Sequence, residues 1–98
     1  MLSSTVLFPI RLKEEADAMV RRRTKRKGDL VVLITQILES VDLSNVQAAG
    51  PMDVRDRPQT SVKLPKLLHS KLKKTALARS VSMNALVNGA ILQHFAPK

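Results

Sequence analysis

The sequence TSVKLPKLLHSKLKKTALARSVSMNALVNGAILQHF, residues 60–95, combines an alternating segment with two helical patterns. Val62 and Leu64 alternate with polar neighbours up to Pro65, which predicts a short strand with one apolar face. Two amphipathic segments follow, separated by residues 79–82. Their apolar faces are formed by Leu68, Leu72, Thr75 and Ala76 and then by Leu86, Val87, Ala90, Ile91 and Phe95. The stretch therefore predicts a strand, a helix, a turn and a second helix, with Ser82 as the cap of the second helix.

The chain is strongly basic. Its 98 residues include 17 Lys and Arg against 8 Asp and Glu, a formal net charge of +9. Residues 59–98 carry basic side chains and no acidic one. This imbalance indicates a polyanionic partner, and nucleic acid is the partner we expect. A basic surface that only keeps the protein in solution is the alternative.

Composition also indicates what the protein lacks. The absence of Cys excludes disulfides and Cys-ligated metals. His69 and His94 have no acidic partners at ligand spacing, and no nucleophile, base and orienting group stand together, so we expect no metal, no cofactor and no enzyme. The longest apolar run, residues 30–34, is too short to span a bilayer. With no secretion signal evident, we expect a cytoplasmic protein without membrane contact.

The first half of the chain shows a weaker form of the same pattern. Residues 5–12, TVLFPIRL, predict a strand, and Pro9 within it favours an edge position. Residues 13–27 predict a helix that is acidic at its start and basic at its end. Gly28 is predicted to stop this helix and Asp29 to cap the next one, over residues 30–41.

The two halves can be aligned by pattern. Residues 10–12 match residues 62–64, and Ile34 and Leu38 match Val87 and Ile91. Each unit is too small to bury a stable core alone, and each supplies only one strand. Pairing of the two units solves both problems. We therefore expect a mainly α fold with a two-stranded antiparallel β-ribbon, one strand from each half, on four helices.

The predicted domain has three segments. The first and degenerate unit covers residues 5–42, the linker residues 43–58 and the second unit residues 59–96. The linker lacks a hydrophobic period and contains Gly50, Pro51 and Pro58. At roughly 3.3 Å per residue it is long enough for the units to pair within one chain or between chains. We expect a monomeric pseudo-dimer that forms one shared domain, with further self-association on DNA left open.

Residues 79–87, RSVSMNALV, and the alternating strand ending in Leu64-Pro65 resemble a known family. They are similar to the ribbon-helix-helix DNA-binding fold of the Arc, MetJ and CopG repressors. The resemblance covers residues 59–96 well and residues 5–42 weakly, where Lys13 stands in place of the proline. Two units in one chain resemble the tandem arrangement of the TraY conjugation proteins. The resemblance implies a tandem ribbon-helix-helix, single-chain pseudo-dimer that binds double-stranded DNA.

A ribbon of this kind can enter the major groove and present one face to the base edges. In the second unit that face carries Gln59, Ser61 and Lys63, and in the first unit Arg11 is the residue that we expect to read a base. Gln pairs with adenine, Lys and Arg with guanine, and Ser with either. A short polar face that is only solvated is the alternative.

Phosphate contacts are expected at the start of each second helix, where free backbone N–H groups favour an anion. The residues assigned to this role are Ser82, Met83, Asn84 and Arg79 in the second unit and Gly28 and Leu30 in the first. The run RRRTKRK, residues 21–27, is the densest charge in the chain. Contact of this run with flanking phosphates, a solvated face and a nuclear import signal are its alternative interpretations.

The function predicted from these features is sequence-specific DNA binding by a bacterial, phage or plasmid protein, and repression of transcription is the leading hypothesis. A DNA-binding accessory protein of plasmid conjugation or segregation is the first alternative. An antitoxin is the second, although little chain follows the last helix to act as a toxin-binding tail.

Overall fold

The computed structural model describes residues 5–48 and 59–95, which form two strands and four helices. In chain order the elements are β1 (Thr5–Ile10), α1 (Glu14–Arg21), α2 (Lys27–Ser40), β2 (Thr60–Pro65), α3 (Lys66–Arg79) and α4 (Met83–His94). Helices dominate, and the strands form one two-stranded antiparallel sheet. The expectation of a mainly helical chain with a two-stranded antiparallel sheet is confirmed. None of the described helices is both long enough and apolar enough to cross a membrane.

The sheet joins the two halves of the chain. Phe8 lies opposite Val62, and Ile10 lies opposite Thr60. Alternate residues point to opposite faces of a strand, so one face of the sheet is apolar and buried while the other is exposed and carries both polar and apolar side chains. Phe8, Ile10, Val62 and Leu64 are buried on the inner face. β1 ends at Ile10, two residues before the end of the predicted strand.

The inner face of the sheet packs on a continuous aliphatic core. Every helix contributes buried side chains to this core. α4 is the central helix, since it contacts each of the other three and is buried without a break from Ala85 to Ile91. The sequence predicted an amphipathic helix with one apolar face, but the middle of α4 is buried on every side, including at the polar Asn88.

α1 is shorter than predicted. It ends at Arg21, whereas the charge pattern predicted a helix to residue 27. The Thr24 hydroxyl donates to the Val20 carbonyl at 3.1 Å, and the Arg23 guanidinium donates to the Met19 carbonyl at 3.2 Å. The side chains of Arg23 and Thr24 thus donate to the carbonyls that their own backbone N–H groups would bind if the helix continued. A longer helix would also have stacked like charges four residues apart, which is unfavourable.

The start of α2 corrects a second prediction. Gly28 does not stop a helix and Asp29 is not an N-cap, because both lie in the first turn of α2, which begins at Lys27. The Asp29 carboxylate accepts the backbone N–H groups of Lys25 at 3.3 Å and Arg26 at 3.2 Å. By reaching back, Asp29 starts the helix before its own position.

The turn between α3 and α4 follows the prediction at Ser82. Ser82 is the N-cap of α4, and its hydroxyl accepts the backbone N–H of Ala85 at 3.0 Å. Ser80 ends α3 in the left-handed conformation, with φ of 57°. A left-handed residue at the end of a helix is a common stop signal, although glycine is the usual residue there.

The beginning of the predicted linker is packed against the domain. Leu43 and Val46 are fully buried in the core. Asp42 shapes this turn, since its carboxylate accepts the N–H of Ser44 at 3.0 Å and its carbonyl accepts the N–H of Val46 at 2.9 Å. Residues 49–58, the rest of the predicted linker, lie outside the described residues.

Asn88 connects the two halves. It is the one buried polar side chain of the described residues and is fully enclosed on α4. Its Nδ2 donates to the Arg11 carbonyl at 3.1 Å and to the Asn84 carbonyl at 2.8 Å, while its Oδ1 accepts the Lys13 N–H at 2.7 Å. The segment that links β1 to α1 therefore has its backbone groups satisfied by one side chain of the second half.

Replacing Asn88 should destabilise the fold. In Asn88→Ala the Arg11 carbonyl and the Lys13 N–H lose their buried partner, which we expect to cost about 2–4 kcal/mol of unfolding free energy. Urea unfolding followed by circular dichroism measures the change. Asn45→Ala, which removes an exposed hydrogen bond to Asp42, is the matched control and should cost about 0.5 kcal/mol or less. Equal losses in the two variants would contradict the role given to Asn88.

Candidate nucleic-acid interface

The outer face of the sheet is a continuous exposed surface. From β1 it carries Thr5, Leu7 and Pro9, and from β2 it carries Ser61, Lys63 and Pro65. Leu7 lies opposite Lys63, and Pro9 lies opposite Ser61. Two of the residues predicted to read bases, Ser61 and Lys63, thus share this face. Leu7 is 61% exposed, which is a large apolar exposure for a small domain.

The other two residues predicted to read bases lie at one end of the sheet. Arg11 follows the last residue of β1, and Gln59 precedes the first residue of β2. Because Ile10 pairs with Thr60, both positions belong to the same end. Gln59 is exposed and Arg11 is half-buried. The Arg11 N–H donates to Asn84 Oδ1 at 3.3 Å and its carbonyl accepts from Asn88, so its backbone is held in place.

The N-terminus of α4 lies beside this end of the sheet. Asn84, in the first turn of α4, bonds to the backbone of Arg11. Ser82, Met83 and Asn84, all predicted to contact phosphate, begin this helix. The N-terminus of a helix carries a partial positive charge, which favours an anion. The fold thus brings the predicted phosphate site of the second half to the Arg11 backbone of the first.

Arg79 has a structural contact that the sequence did not predict. Its Nη1 donates to the carbonyl of Leu43 at 2.9 Å, so α3 is tied to the turn that follows α2. The guanidinium has further N–H donors that this contact does not use. Arg79 therefore anchors the turn, and its proposed phosphate contact would involve its other donors.

The two first-half residues predicted to contact phosphate are in unlike surroundings. Gly28 is exposed, and nothing lies within 4 Å of the position that a Cβ would take. Leu30 is buried in the core. The Asp29 carboxylate lies between them in sequence and already accepts the N–H groups of Lys25 and Arg26. A phosphate approaching this helix start would meet a carboxylate, unlike at α4.

The basic run is divided among three surroundings. We name residues 21–26, the last residue of α1 and its connection to α2, the basic elbow. The Arg23 guanidinium lies over the Phe95 ring, 4.1 Å from its centroid. Arg22 lies near Glu14 and Glu15, with which it lines one surface cavity. Another groove, of about 490 Å³, is lined by Arg21, Thr24, Lys25, Arg26, Leu30 and Thr60.

The sequence did not predict where this groove lies. It identified the charge of the run but could not place it beside Thr60, since the two are far apart along the chain. Asn88 was missed as well, because on the sequence it reads as one polar residue in an apolar helix. Within residues 5–48 and 59–95, no cluster of three or more His, Cys, Asp or Glu could hold a metal ion.

Comparisons with known proteins give no family assignment. No family model, no curated protein and no solved structure matches the chain significantly. Any functional conclusion therefore depends on the geometry of the ribbon face, the α4 N-terminus and the charge around them.

Substitutions at Ser82 test how much its side-chain cap stabilises α4. Ser82→Ala removes the bond to the Ala85 N–H and should cost about 1 kcal/mol of unfolding free energy. Ser82→Asp retains a capping oxygen at a helix N-terminus and should stay within about 0.5 kcal/mol of the wild type. Thermal and urea unfolding measure both. A Ser82→Ala variant that is as stable as the wild type would show that the hydroxyl does not stabilise α4 as a cap.

Proposed function

We propose that this protein binds double-stranded DNA in a sequence-specific manner and represses transcription by occupying an operator. In this proposal the β1–β2 sheet is the ribbon of a tandem ribbon-helix-helix fold, paired within one chain as a pseudo-dimer. The observation that carries the proposal is the exposed outer face of the sheet, with Ser61 and Lys63 beside Leu7 and Pro9.

The dimensions of the sheet suit the major groove. Two paired strands lie roughly 4.8 Å apart, and six residues extend for about 20 Å. The major groove of B-DNA is about 12 Å wide and admits a two-stranded ribbon with its side chains. The helices cover the opposite, apolar face of the sheet, which leaves the outer face as the surface able to enter the groove.

The outer face offers unlike contacts from its two strands. From β2, Lys63 is suited to guanine and Ser61 to adenine or guanine. From β1, Leu7 and Pro9 are suited to apolar contact with a thymine methyl group. Arg11 and Gln59 extend the contact at one end of the ribbon. Because the strands differ, we propose that the two halves of the DNA site differ in sequence.

Phosphate contact is proposed at the N-terminus of α4, which is held beside Arg11 through Asn84. Backbone N–H groups at a helix start fix the register of a protein on DNA without reading its sequence. Such a clamp would position the ribbon, so that base readout and phosphate contact come from neighbouring elements. The net charge of +9 supplies the attraction for the duplex.

Lys63→Ala tests the proposal when combined with selection of bound sites from random DNA. The wild type should enrich one sequence with unlike halves. On that duplex Lys63→Ala should bind roughly tenfold or more weakly, because a lost base contact costs about 1–3 kcal/mol. Fluorescence anisotropy at fixed salt measures the affinity.

Lys73→Ala is the matched control, because Lys73 is an exposed residue of α3 away from the outer face of the ribbon. It removes the same charge and should change affinity by less than Lys63→Ala. Selection that enriches no sequence, or equal losses in the two variants, would contradict readout by the ribbon.

A further inference from the structure

The groove beside the basic elbow is the feature that the proposed ribbon contact does not explain. Among the residues that the structure describes, its lining combines Arg21, Lys25 and Arg26 with Thr24, Leu30 and Thr60, and none of these is acidic. The volume, about 490 Å³, is large enough for a phosphodiester group and part of its sugar. An open groove that combines three cations with two threonine side chains has the chemistry of an anion site.

The charges in the groove differ in how far they are already paired. Arg21 Nε bonds to Asp17 Oδ1 at 2.7 Å, so Arg21 is partly neutralised. Asp29 is close in sequence, but its carboxylate is bonded to the backbone N–H groups of Lys25 and Arg26. The side chains of Lys25 and Arg26 are exposed, and these two carry the available positive charge.

The groove lies at one end of the sheet, on the side of the helices. Thr60 lines the groove and is the first residue of β2, and because it pairs with Ile10 its side chain belongs to the inner face. Lys25 and Arg26, which also line the groove, are exposed at this end of the sheet. A DNA strand that passes this end of the ribbon can therefore meet their side chains at the opening of the groove.

The two sides of the ribbon are not equivalent at this position. When residues 10–12 are aligned with residues 62–64, Thr60 corresponds to Phe8. Phe8 is buried and packs edge-on against His69, with ring centroids 5.7 Å apart. The small Thr60 side chain leaves space where the larger aromatic ring fills it in the other half.

We propose that the basic elbow groove binds the sugar–phosphate backbone of DNA that flanks the segment in contact with the ribbon, on one side only. This inference rests on the proposed function, because the ribbon and the groove must engage the same duplex. Lys25 and Arg26 neutralise phosphates with their side chains. Side-chain cations thus take the place of helix N–H groups on the side where Asp29 occupies the start of α2.

Two double variants of equal charge test the groove. Lys25→Gln/Arg26→Gln removes two charges from it, and Lys71→Gln/Lys73→Gln removes two from the exposed side of α3. Binding of a 30-bp duplex containing the selected site is measured by anisotropy across salt concentrations. In the groove variant the slope of log K against log salt concentration should become less steep by about 1.8, since each lost phosphate contact contributes about 0.9. Its binding should be roughly tenfold or more weaker at 0.1 M salt. The α3 variant should change both less.

A hydroxyl-radical footprint locates the effect. The wild type should protect sugars beyond the ribbon contact further on one flank than on the other, and the groove variant should lose that extra protection while keeping the central footprint. Thr60→Phe is a second variant, which fills the groove without changing the charge. It should also lose the extra protection on that flank of the DNA. Circular dichroism confirms that each variant is folded, and the backbone bonds to Asp29 do not depend on the substituted side chains.

The outcomes separate the two proposals. Equal slopes for both double variants would overturn phosphate binding by the groove while leaving ribbon binding intact. Extra flank protection that persists in the groove variant or in Thr60→Phe would do the same. If no sequence is selected and Lys63→Ala binds like the wild type, readout by the ribbon fails. A groove-specific slope change measured on an unrelated 30-bp duplex would still support phosphate binding by the elbow in that case, and equal slopes there would overturn it.

Discussion

The pairing of β1 with β2 is the interaction on which the rest of the structure depends. Each strand has one apolar face and unpaired backbone groups on both edges, so neither is stable alone. Paired, Phe8 and Ile10 join Val62 and Leu64 in one inner face that closes the core over the helices. The same pairing creates the outer face, because the side chains that do not enter the core must point away from it. Core and proposed DNA surface are thus two consequences of one register, and a slip by one residue would exchange them.

Asn88 and α4 hold the ribbon in position. Asn88 satisfies backbone groups of Arg11 and Lys13 from inside the core, and Asn84 adds a bond to Arg11 one turn earlier on the helix. Buried polar groups are costly unless they are fully bonded, so this arrangement favours one placement of β1 relative to α4. Position of the ribbon and position of the α4 N-terminus are therefore coupled. In the proposed function this coupling sets the spacing between base readout and phosphate contact.

The sequence was informative where local chemistry decides the structure. The alternating pattern predicted Ser61 and Lys63 on the face of β2 away from the buried Val62 and Leu64. The cap at Ser82 followed from residue type. The predicted junction of α1 and α2 was wrong, because the Asp29 carboxylate binds the N–H groups of Lys25 and Arg26 and because Gly28 is tolerated inside a helix. Apart from the pairing of the two strands, long-range contacts could not be predicted. The partners of Asn88 in the first half are 75 and 77 residues away, and the groove at Thr60 exists only once the chain is folded.

Nuclear Overhauser contacts between Phe8 and Val62 test most directly whether the ribbon forms within one chain. With only two Phe residues in the sequence, the Phe8 ring protons are easily assigned. In a 1:1 mixture of isotope-labelled and unlabelled protein, contacts within a chain and between chains are separated by isotope filtering. We expect ring-to-methyl contacts within labelled chains and none between labelled and unlabelled ones. Contacts that appear between chains, or no contact between Phe8 and Val62 in either experiment, would contradict it.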